Sequence, residues 1–253
     1  MKKGFIKTRE EIATITQGGK ILRDILYRAA KLVKPGVATW ELNEFAENAI
    51  YKAGGQPSFK GYGPKGNEFP AGLCTSVNDE IVHGIPSKKI VLKEGDIVGL
   101  DIGMEFKGLF TDTAITVPVG KIGVTAKKII DATQNALTAA LSVAKAGNTI
   151  GDIGYAIQTT AERAGFSVIR DLVGHGVGYE VHEDPQVPCF GKKGQGMELK
   201  EGMVLAIEPM LAEKSWRIFI DDDGWTIRTS DGGLSAHFEH TLAITRGEPN
   251  ILT

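Results

Sequence analysis

Apolar residues recur at helical spacing near the start of the chain. The positions that follow the i, i+3, i+4 repeat are Leu22, Ile25, Leu26, Ala29 and Val33. This spacing places their side chains on one face of a helix, as burial against a core requires. Thr8 and Glu11 form a capping-box pair ahead of the repeat, and Pro35-Gly36 follows it. The sequence therefore predicts a helix that begins near residue 9 and stops before this Pro-Gly pair.

The rest of the chain alternates between helical and strand periodicity. Three further helices are predicted over residues 39–53, 125–145 and 149–164. Strands, rich in β-branched residues and broken by glycines, are predicted over residues 81–119 and for most of the chain after residue 165. Residues 61–74 are rich in Gly and Pro and are predicted to form a loop. Asp223-Gly224 lies between two apolar runs, which is typical of a hairpin turn.

Four short motifs occur twice along the chain, in the same order. The paired segments are residues 33–36 with 144–147, 81–86 with 180–185, 92–101 with 199–208, and 110–116 with 238–245. They indicate two helix-plus-strand halves related by an approximate two-fold axis, each bringing one histidine and two carboxylates to the same place. Chance similarity between apolar strands is the alternative, but the shared order of the matches favours the two-fold repeat.

Composition and charge narrow the class of protein. The 253 residues are 42% hydrophobic and 24% charged and contain no linker, so one domain over residues 1–253 is expected. A net charge of −2 without a basic stripe argues against a nucleic-acid partner. The two cysteines, Cys74 and Cys189, form no CxxC pair, which argues against a disulfide framework. With neither a secretory signal nor an apolar run of about 20 residues, we expect a cytoplasmic protein that does not enter a membrane.

Two aspartates stand in strands that should be buried. Asp101 follows the apolar run 97–100, and Asp112 lies on the predicted return strand, with a turn near residues 106–107 that would place them opposite each other. Directly paired residues of a hairpin have Cβ atoms about 4.5–5.5 Å apart. Buried carboxylates so close repel each other and lose hydration, which one or two divalent cations would offset. The alternative is a pair of acids at a solvated sheet edge.

Three further residues are candidates for the same site. His175 stands among glycines in residues 174–178, which leave room for a metal, although a single histidine is more often structural. Glu208 ends an apolar strand, where an acid requires a partner, and Glu239 is less distinctive. Four carboxylates and one neutral imidazole nearly balance two divalent ions, with room for a bridging hydroxide. This oxygen-rich set suits Mn, Fe, Co or Zn.

The spacing of these five residues resembles that of the type I methionine aminopeptidases. The surrounding motifs match as well: residues 74–86, Gly174-His175-Gly176-Val177-Gly178, Ile207-Glu208-Pro209-Met210 and Glu239-His240-Thr241. The likeness covers nearly the whole chain. It implies the pita-bread fold, an α/β (α+β) arrangement with an internal pseudo-two-fold repeat, in which antiparallel strands carry the site and helices lie outside.

The resemblance also implies an activity. The family removes the initiator methionine from nascent proteins and peptides and prefers a small second residue. Two divalent metal ions, of cobalt, manganese, iron or zinc, would be held by Asp101, Asp112, His175, Glu208 and Glu239. A hydroxide bound to them would attack the carbonyl after the first residue, with Glu208 also handling protons. His83 and His182 resemble the catalytic, substrate-binding histidines that hydrogen-bond the scissile amide and the intermediate.

The implied methionine pocket is apolar and adaptable. The resemblance assigns its wall to Phe59, Tyr62, Phe69, Cys74 and Trp225, although aromatic side chains at such positions also occur in ordinary cores. His237 stands where the family often has a polar amide, and Val181 replaces what is often an aromatic residue. These departures concern the shape of the pocket and leave the five candidate ligands in place.

The implied partners are nascent polypeptide N-termini, met by a cytoplasmic monomer; whether the protein contacts the ribosome near the exit tunnel is left open. A proline-specific peptidase would share the fold but usually carries an additional N-terminal domain. A non-catalytic, partner-binding relative would be favoured by loss of metal ligands, and all five are present. A metal-free creatine hydrolase relative lacks these carboxylates.

Overall fold

Four α-helices occur in the computed structural model, which describes residues 4–253 of the chain. They are α1 (Arg9–Ala30), α2 (Thr39–Lys52), α3 (Val124–Val143) and α4 (Ile150–Arg163). All four predicted helices are confirmed, and the reciprocal capping bonds between Thr8 and Glu11 begin α1. Among the described residues, none of these helices is both long and apolar enough to cross a membrane.

The first helix ends earlier than its apolar repeat predicts. The last residue of α1 is Ala30, and the N–H groups of Leu32 and Val33 turn to the carbonyls of Ala29 and Ala30. These i to i−3 bonds tighten the chain into a turn, and the residue before Pro35 is disfavoured in a helical conformation. Val33 therefore packs against the core from the turn and not from the helix.

The strands follow in chain order. They are β1 (Gln56–Pro57), β2 (Leu73–Val77), β3 (Glu80–Val82), β4 (Ile97–Phe106), β5 (Leu109–Pro118), β6 (Ser167–Val168), β7 (Val173–Gly176), β8 (Glu183–Pro188), β9 (Val204–Ile207), β10 (Met210–Ala212), β11 (Ile218–Ile220), β12 (Ile227–Thr229), β13 (Ser235–His237), β14 (Glu239–Ala243) and β15 (Asn250–Ile251). The predicted strand regions are confirmed, except that residues 83–96 are mostly irregular.

The largest sheet is antiparallel and joins the two halves of the molecule. Its strand order is β1-β4-β5-β14-β9-β7-β8, with β2 on β4 and β15 on β14. The pair β5–β14 at its centre connects the first half to the second. Helix α1 packs on β4 and β5, whereas α3 packs on α4. The predicted class, antiparallel strands with helices outside, is therefore confirmed.

Matched glycines show the internal two-fold repeat in the backbone. Gly36 and Gly147 both have φ of 91°, and their N–H groups donate to Leu92 O at 2.8 Å and to Leu199 O at 3.0 Å. This left-handed conformation favours glycine, because a Cβ would crowd the backbone. Since the repeat reproduces both the conformation and its hydrogen bond, chance similarity between strands does not account for the repeated motifs.

The register of the strands corrects the last of the repeated matches. In the hairpin of β4 and β5, Gly103 pairs with Asp112. In the second half, Met210 of β10 occupies the place of Gly103, two residues after the matched acid, and it pairs with His237 of β13. The structural counterpart of Asp112 is therefore His237, whereas the sequence motifs, which align Phe110 with Phe238, place His240 at that position.

Candidate active site

A cavity of about 130 Å³ collects every residue that the sequence singled out for a site. The five candidate metal ligands on its wall are Asp101, Asp112, His175, Glu208 and Glu239. The predicted substrate-binding residues on its wall are Phe59, Tyr62, Phe69, Cys74, His83, His182 and Trp225. Residues that are 180 positions apart in sequence thus meet at one place, although their roles stay predictions.

The β4–β5 hairpin positions the two aspartates. Its turn is Lys107-Gly108, with φ of 54° and 80°, one residue later than predicted. Two consecutive positive φ values match the twist of the flanking strands in a two-residue hairpin. In the resulting register Asp101 pairs with Ala114, so Asp112 is the diagonal neighbour of Asp101. The sequence had predicted that the two aspartates would pair directly. Both carboxylates still face the same side of the sheet, because side chains two positions apart share a face.

The second half supplies the remaining candidate ligands. Glu208 lies between β9 and β10, and Glu239 begins β14, where it pairs with Ala114 across the centre of the sheet. His175 on β7 pairs with Ala206 of β9. The glycine before it must be small, because a Cβ on Gly174 would lie 2.5 Å from Ala206 O.

Burial of the four acids makes the floor of the cavity electrostatically unfavourable. Burial raises the pKa of Asp112, Glu208 and Glu239 well above the usual range, and repulsion from Asp101 adds to the shift of Asp112. Burial raises the pKa of Asp101 to about 6, a shift that His237 opposes and Glu208 reinforces. Several carboxylates buried together, away from water, are typical of a site that binds a cation.

Unpartnered oxygens show that these residues fit a metal. The buried atoms Asp101 Oδ1, Asp112 Oδ1 and Glu239 Oε1 have no hydrogen-bond partner. Buried polar atoms are normally satisfied, so three unsatisfied carboxylate oxygens at one place require a ligand. Asp112, His175 and Glu239 each place a donor atom within 4.8 Å of the others. Oxygen donors with one imidazole suit first-row divalent ions.

The histidines around the acids are held neutral. Burial lowers the pKa of His83 to about 4 and that of His175 to about 3, and His182 adds repulsion in both cases. His175 Nδ1 lies 2.8 Å from Gly176 O, and because a carbonyl only accepts, this nitrogen carries the proton. His175 Nε2 is left bare beside Glu208 Oε1, at 3.4 Å, with its lone pair available to a metal.

His182 links the acidic floor to the mouth of the cavity. Its ring lies edge-on to that of His175, with centroids 4.4 Å apart. Its Nδ1 is 2.8 Å from the hydroxyl of Tyr62, whose side chain is exposed at the rim. His182 is therefore held between a candidate metal ligand and the loop that carries Tyr62, as a residue that contacts substrate would have to be.

Aromatic side chains form the apolar wall. Phe69 and Trp225 meet edge to face at 5.3 Å, and Trp225 Nε1 donates to Asn67 O at 3.0 Å. The turn 221–226, which contains the predicted Asp223-Gly224 pair, places Trp225 there, because Asp223 Oδ1 accepts its backbone N–H at 2.8 Å. Burial raises the pKa of the Cys74 thiol well above its usual range, so this wall carries no charge at Cys74.

Four lining residues were missed in the sequence. They are Val82, Leu172, Val173 and Met210. Each lies within three residues of a motif residue that was named, so the motifs carried the signal. Which neighbours face the cavity depends on how the strands pair, and single-sequence patterns do not supply that pairing.

Comparisons with known proteins point to one family. The model of metallopeptidase family M24 matches residues 13–246. The methionine aminopeptidase of Aquifex aeolicus is 46% identical over 252 residues, which cover 97% of each chain. The crystal structure of the methionine aminopeptidase from Thermotoga maritima superposes with a TM-score of 0.95 at 44% identity and covers 98% of each chain.

A prolidase shares the fold at greater distance. The prolidase from Pyrococcus horikoshii superposes with a TM-score of 0.75 at 24% identity, and the match covers 98% of this chain but 63% of the prolidase. This likeness shows a common fold alone.

Proposed function

Because this chain belongs to metallopeptidase family M24, we propose that it is a metal-dependent aminopeptidase that removes the N-terminal methionine from proteins and peptides. The observation that carries the proposal is the cavity itself, where unsatisfied buried carboxylates meet an apolar aromatic wall. The near full-length similarity to methionine aminopeptidases supports the same activity.

The proposed metal site takes two divalent ions. Their ligands are Asp101, Asp112, His175, Glu208 and Glu239. Two divalent ions balance the charge of four carboxylates, which would otherwise repel each other in a buried site. When bound, such ions lower the pKa of water and stabilise the oxyanion that forms at the attacked carbonyl. Co, Mn, Fe and Zn all suit this donor set.

The remaining chemistry falls to the side chains around the acids. Glu208 lies beside the reacting groups, and its carboxylate would take up the proton of the attacking water and pass it to the leaving amine. His182 and His83 are neutral near pH 7, and their ring N–H groups donate to the scissile amide and to the developing oxyanion.

The apolar wall selects the first residue. Methionine has a flexible, polarizable thioether that packs well against aromatic rings. Phe59, Phe69, Cys74 and Trp225 offer such a surface in the same cavity as the acids. The requirement for a small second residue is proposed from the resemblance to the type I methionine aminopeptidases. Met-Lys or Met-Trp peptides are therefore expected to be poor substrates.

The remaining parts of the proposal concern the setting of the enzyme. Nascent N-termini are the natural source of initiator methionine, so a cytoplasmic, monomeric, single-domain enzyme that meets new chains as they leave the ribosome is consistent with this activity. If this protein binds ribosomes that carry a nascent peptide, it should sediment with them in a centrifugation assay. A protein that stays a free monomer should remain in the supernatant.

A competition assay tests the proposal against the proline-specific alternative. The enzyme is stripped with a chelator, reloaded with Mn²⁺, Fe²⁺, Co²⁺ or Zn²⁺, and given Met-Ala-Ser together with Ala-Pro-Ser. Metal-dependent release of methionine alone is expected. Preferential cleavage of Ala-Pro-Ser would establish a proline peptidase, and no cleavage with any metal would indicate a binding protein.

A further inference from the structure

His237 is a buried histidine that the proposed mechanism leaves without a role. Its side chain is 3% exposed and lies at the end of β13, two residues before the candidate ligand Glu239. Its Nε2 atom is buried and has no hydrogen-bond partner. A neutral imidazole with an unsatisfied nitrogen is costly in a core, so its position requires an explanation.

The unsatisfied nitrogen points at Glu208. His237 Nε2 lies 3.5 Å from Glu208 Oε2, whereas His175 Nε2 lies 3.4 Å from Glu208 Oε1. Two imidazoles therefore lie against different oxygens of one carboxylate. The contact with His237 is longer than an ideal hydrogen bond, as catalytic hydrogen bonds often are before ligands bind.

The backbone at His237 is held by the same hydrogen-bond pattern as the backbone at Asp112 in the first half of the repeat. The hydroxyl of Thr241 accepts the backbone N–H of Asp112 at 3.0 Å and donates to its carbonyl at 2.7 Å. The hydroxyl of Thr116 makes the same pair of bonds with His237, at 2.9 Å and 2.8 Å. His237 thus occupies in the second half the place that Asp112 occupies in the first, and its backbone is held as firmly.

The proton on His237 follows from its neighbour. If Nε2 carried no hydrogen, its lone pair would face the lone pairs of a carboxylate oxygen, which is repulsive. With the proton on Nε2, the same contact becomes a charge-assisted hydrogen bond. When Glu208 is ionised, as a metal ligand must be, the ring satisfies both its own nitrogen and one oxygen of Glu208 only in this form.

We propose that His237 is a positioning residue for Glu208: its Nε2–H donates to Oε2 and so turns Oε1 towards the metal. The proposal rests on the proposed role of Glu208 as a metal ligand. Residues that hold ligands from behind fix the geometry of a metal site and tune its affinity. His237 would do for Glu208 what the Gly176 carbonyl does for His175.

A pair of substitutions at this position tests the proposal by metal affinity. His237→Met keeps a side chain of similar length but removes the donor, whereas His237→Gln keeps an N–H at similar reach. Calorimetric titration of the metal-stripped proteins with Mn²⁺ is expected to show about 10-fold to 100-fold weaker binding for His237→Met. His237→Gln is expected to restore most of the loss. Equal affinities in the two variants would overturn the proposal.

A matched control uses a second histidine, on the following strand β14. His240 Nδ1 contacts the hydroxyl of Thr253, away from the cavity. His240→Met is expected to leave Mn²⁺ affinity unchanged. A loss as large as that of His237→Met would show a general effect on the sheet and would overturn the proposal.

The position of the proton gives a readout that does not involve turnover. In the ¹⁵N-histidine spectrum of the Zn²⁺-loaded protein, Nε2 of His237 is expected to carry a proton. A bare Nε2 in that spectrum would show that His237 does not donate to Glu208, and it would overturn the proposal.

These measurements separate this proposal from the proposed function. If the wild type binds metal and depends on His237 but releases no methionine, the aminopeptidase assignment fails and the positioning role stands. If methionine is released and His237→Met binds metal normally, the positioning role fails and the assignment stands.

Discussion

The two halves of the molecule share one backbone plan but carry different chemistry. In the first half β4 and β5 form an unbroken hairpin that contributes Asp101 and Asp112. In the second half the equivalent hairpin is split into β9–β10 and β13–β14, and residues 213–234 are inserted at its tip. The repeat therefore supplies matched backbone positions, whereas side-chain identity decides which of them contributes a group to the cavity.

One pair of positions shows this division clearly. Ser76 on β2 pairs with Gly99 of β4, and His175 on β7 pairs with Ala206 of β9 in the equivalent register. Ser76 only accepts the N–H of Gly84, at 3.2 Å, and does not line the cavity. The same place in the sheet is therefore structural in one half and a candidate metal ligand in the other.

The inserted segment gives the site its second asymmetry. β12 within it pairs with β3 of the first half, next to His83. This pairing brings Trp225 to the aromatic wall that Phe59 and Phe69 begin. The apolar pocket is thus built from both halves, although only the second contains the insertion.

Replacing His175 by serine, the residue at the equivalent position of the first half, should have the largest effect on metal binding and turnover. His175→Ser introduces the residue found at Ser76 and removes the imidazole. Loss of a residue that only supports a metal ligand costs about 10–100-fold in metal affinity or activity, and loss of a ligand should cost more. Calorimetric metal titration and release of methionine from Met-Ala-Ser measure both. Ser76→Ala is the control and should leave metal affinity intact. Full activity of His175→Ser would rule out the proposed metal site.

Removing the histidine that carries the link to Tyr62 should separate catalysis from metal binding. His182→Ala is expected to lower kcat by about 10²–10³-fold, as loss of one oxyanion donor does. Metal affinity should fall by less than about 10-fold, since the ring packs on His175 without being a ligand. Equal losses of both would instead place His182 among the ligands.

The raised pKa of Asp101 predicts how the stability of the metal-free protein depends on pH. Because the folded-state pKa of Asp101 is raised to about 6, its contribution to stability is complete below about pH 4 and is lost as the pH rises through 6. Asp101→Asn removes this loss. Its free energy of unfolding relative to wild type should therefore increase between pH 4 and pH 6 and then level off, by on the order of 3 kcal/mol.

Denaturant titrations of both chelated proteins at several pH values measure this difference. Comparing variant with wild type cancels the opposing contribution of His83 and His175, whose lowered pKa values destabilise the fold at acid pH in both proteins. A difference that stays constant with pH would show that Asp101 is not strained by burial.

The contact between the two halves at the rim should have the smallest effect. Tyr62→Phe removes the hydroxyl that contacts His182 Nδ1 but keeps the ring in place. A net hydrogen bond is worth about 0.5–1.5 kcal/mol, so kcat/KM should fall by about 2-fold to 10-fold. The loss should appear in kcat and leave metal affinity unchanged. A rise in KM alone would assign Tyr62 to the pocket wall only.

Sequence patterns predicted the helices and the candidate ligands because these features are local. The capping pair Thr8 and Glu11 determines where α1 begins, and the glycines of the repeated motifs mark the turns of both halves. Asp101 and Glu208 were recognisable because each acid ends or interrupts an apolar strand, which is unusual without a partner.

Strand register was not predictable in the same way. The turn of the β4–β5 hairpin lies one residue later than expected, which makes Asp101 and Asp112 diagonal neighbours. The register of the second half likewise changes the counterpart of Asp112 from His240 to His237. A shift of one residue leaves the apolar pattern of a doubly buried strand nearly unchanged, so the sequence contains little information about it.

The chain alone therefore specified the elements, the two-fold repeat and the residue types that belong in a metal site. Tertiary structure decided which atoms meet: that two imidazoles flank Glu208, that Tyr62 contacts His182, and that Trp225 closes a wall begun in the other half. Periodicity and capping act over a few residues and can be read locally. Contacts between distant strands depend on register and on close packing, which exist only once the whole sheet has formed.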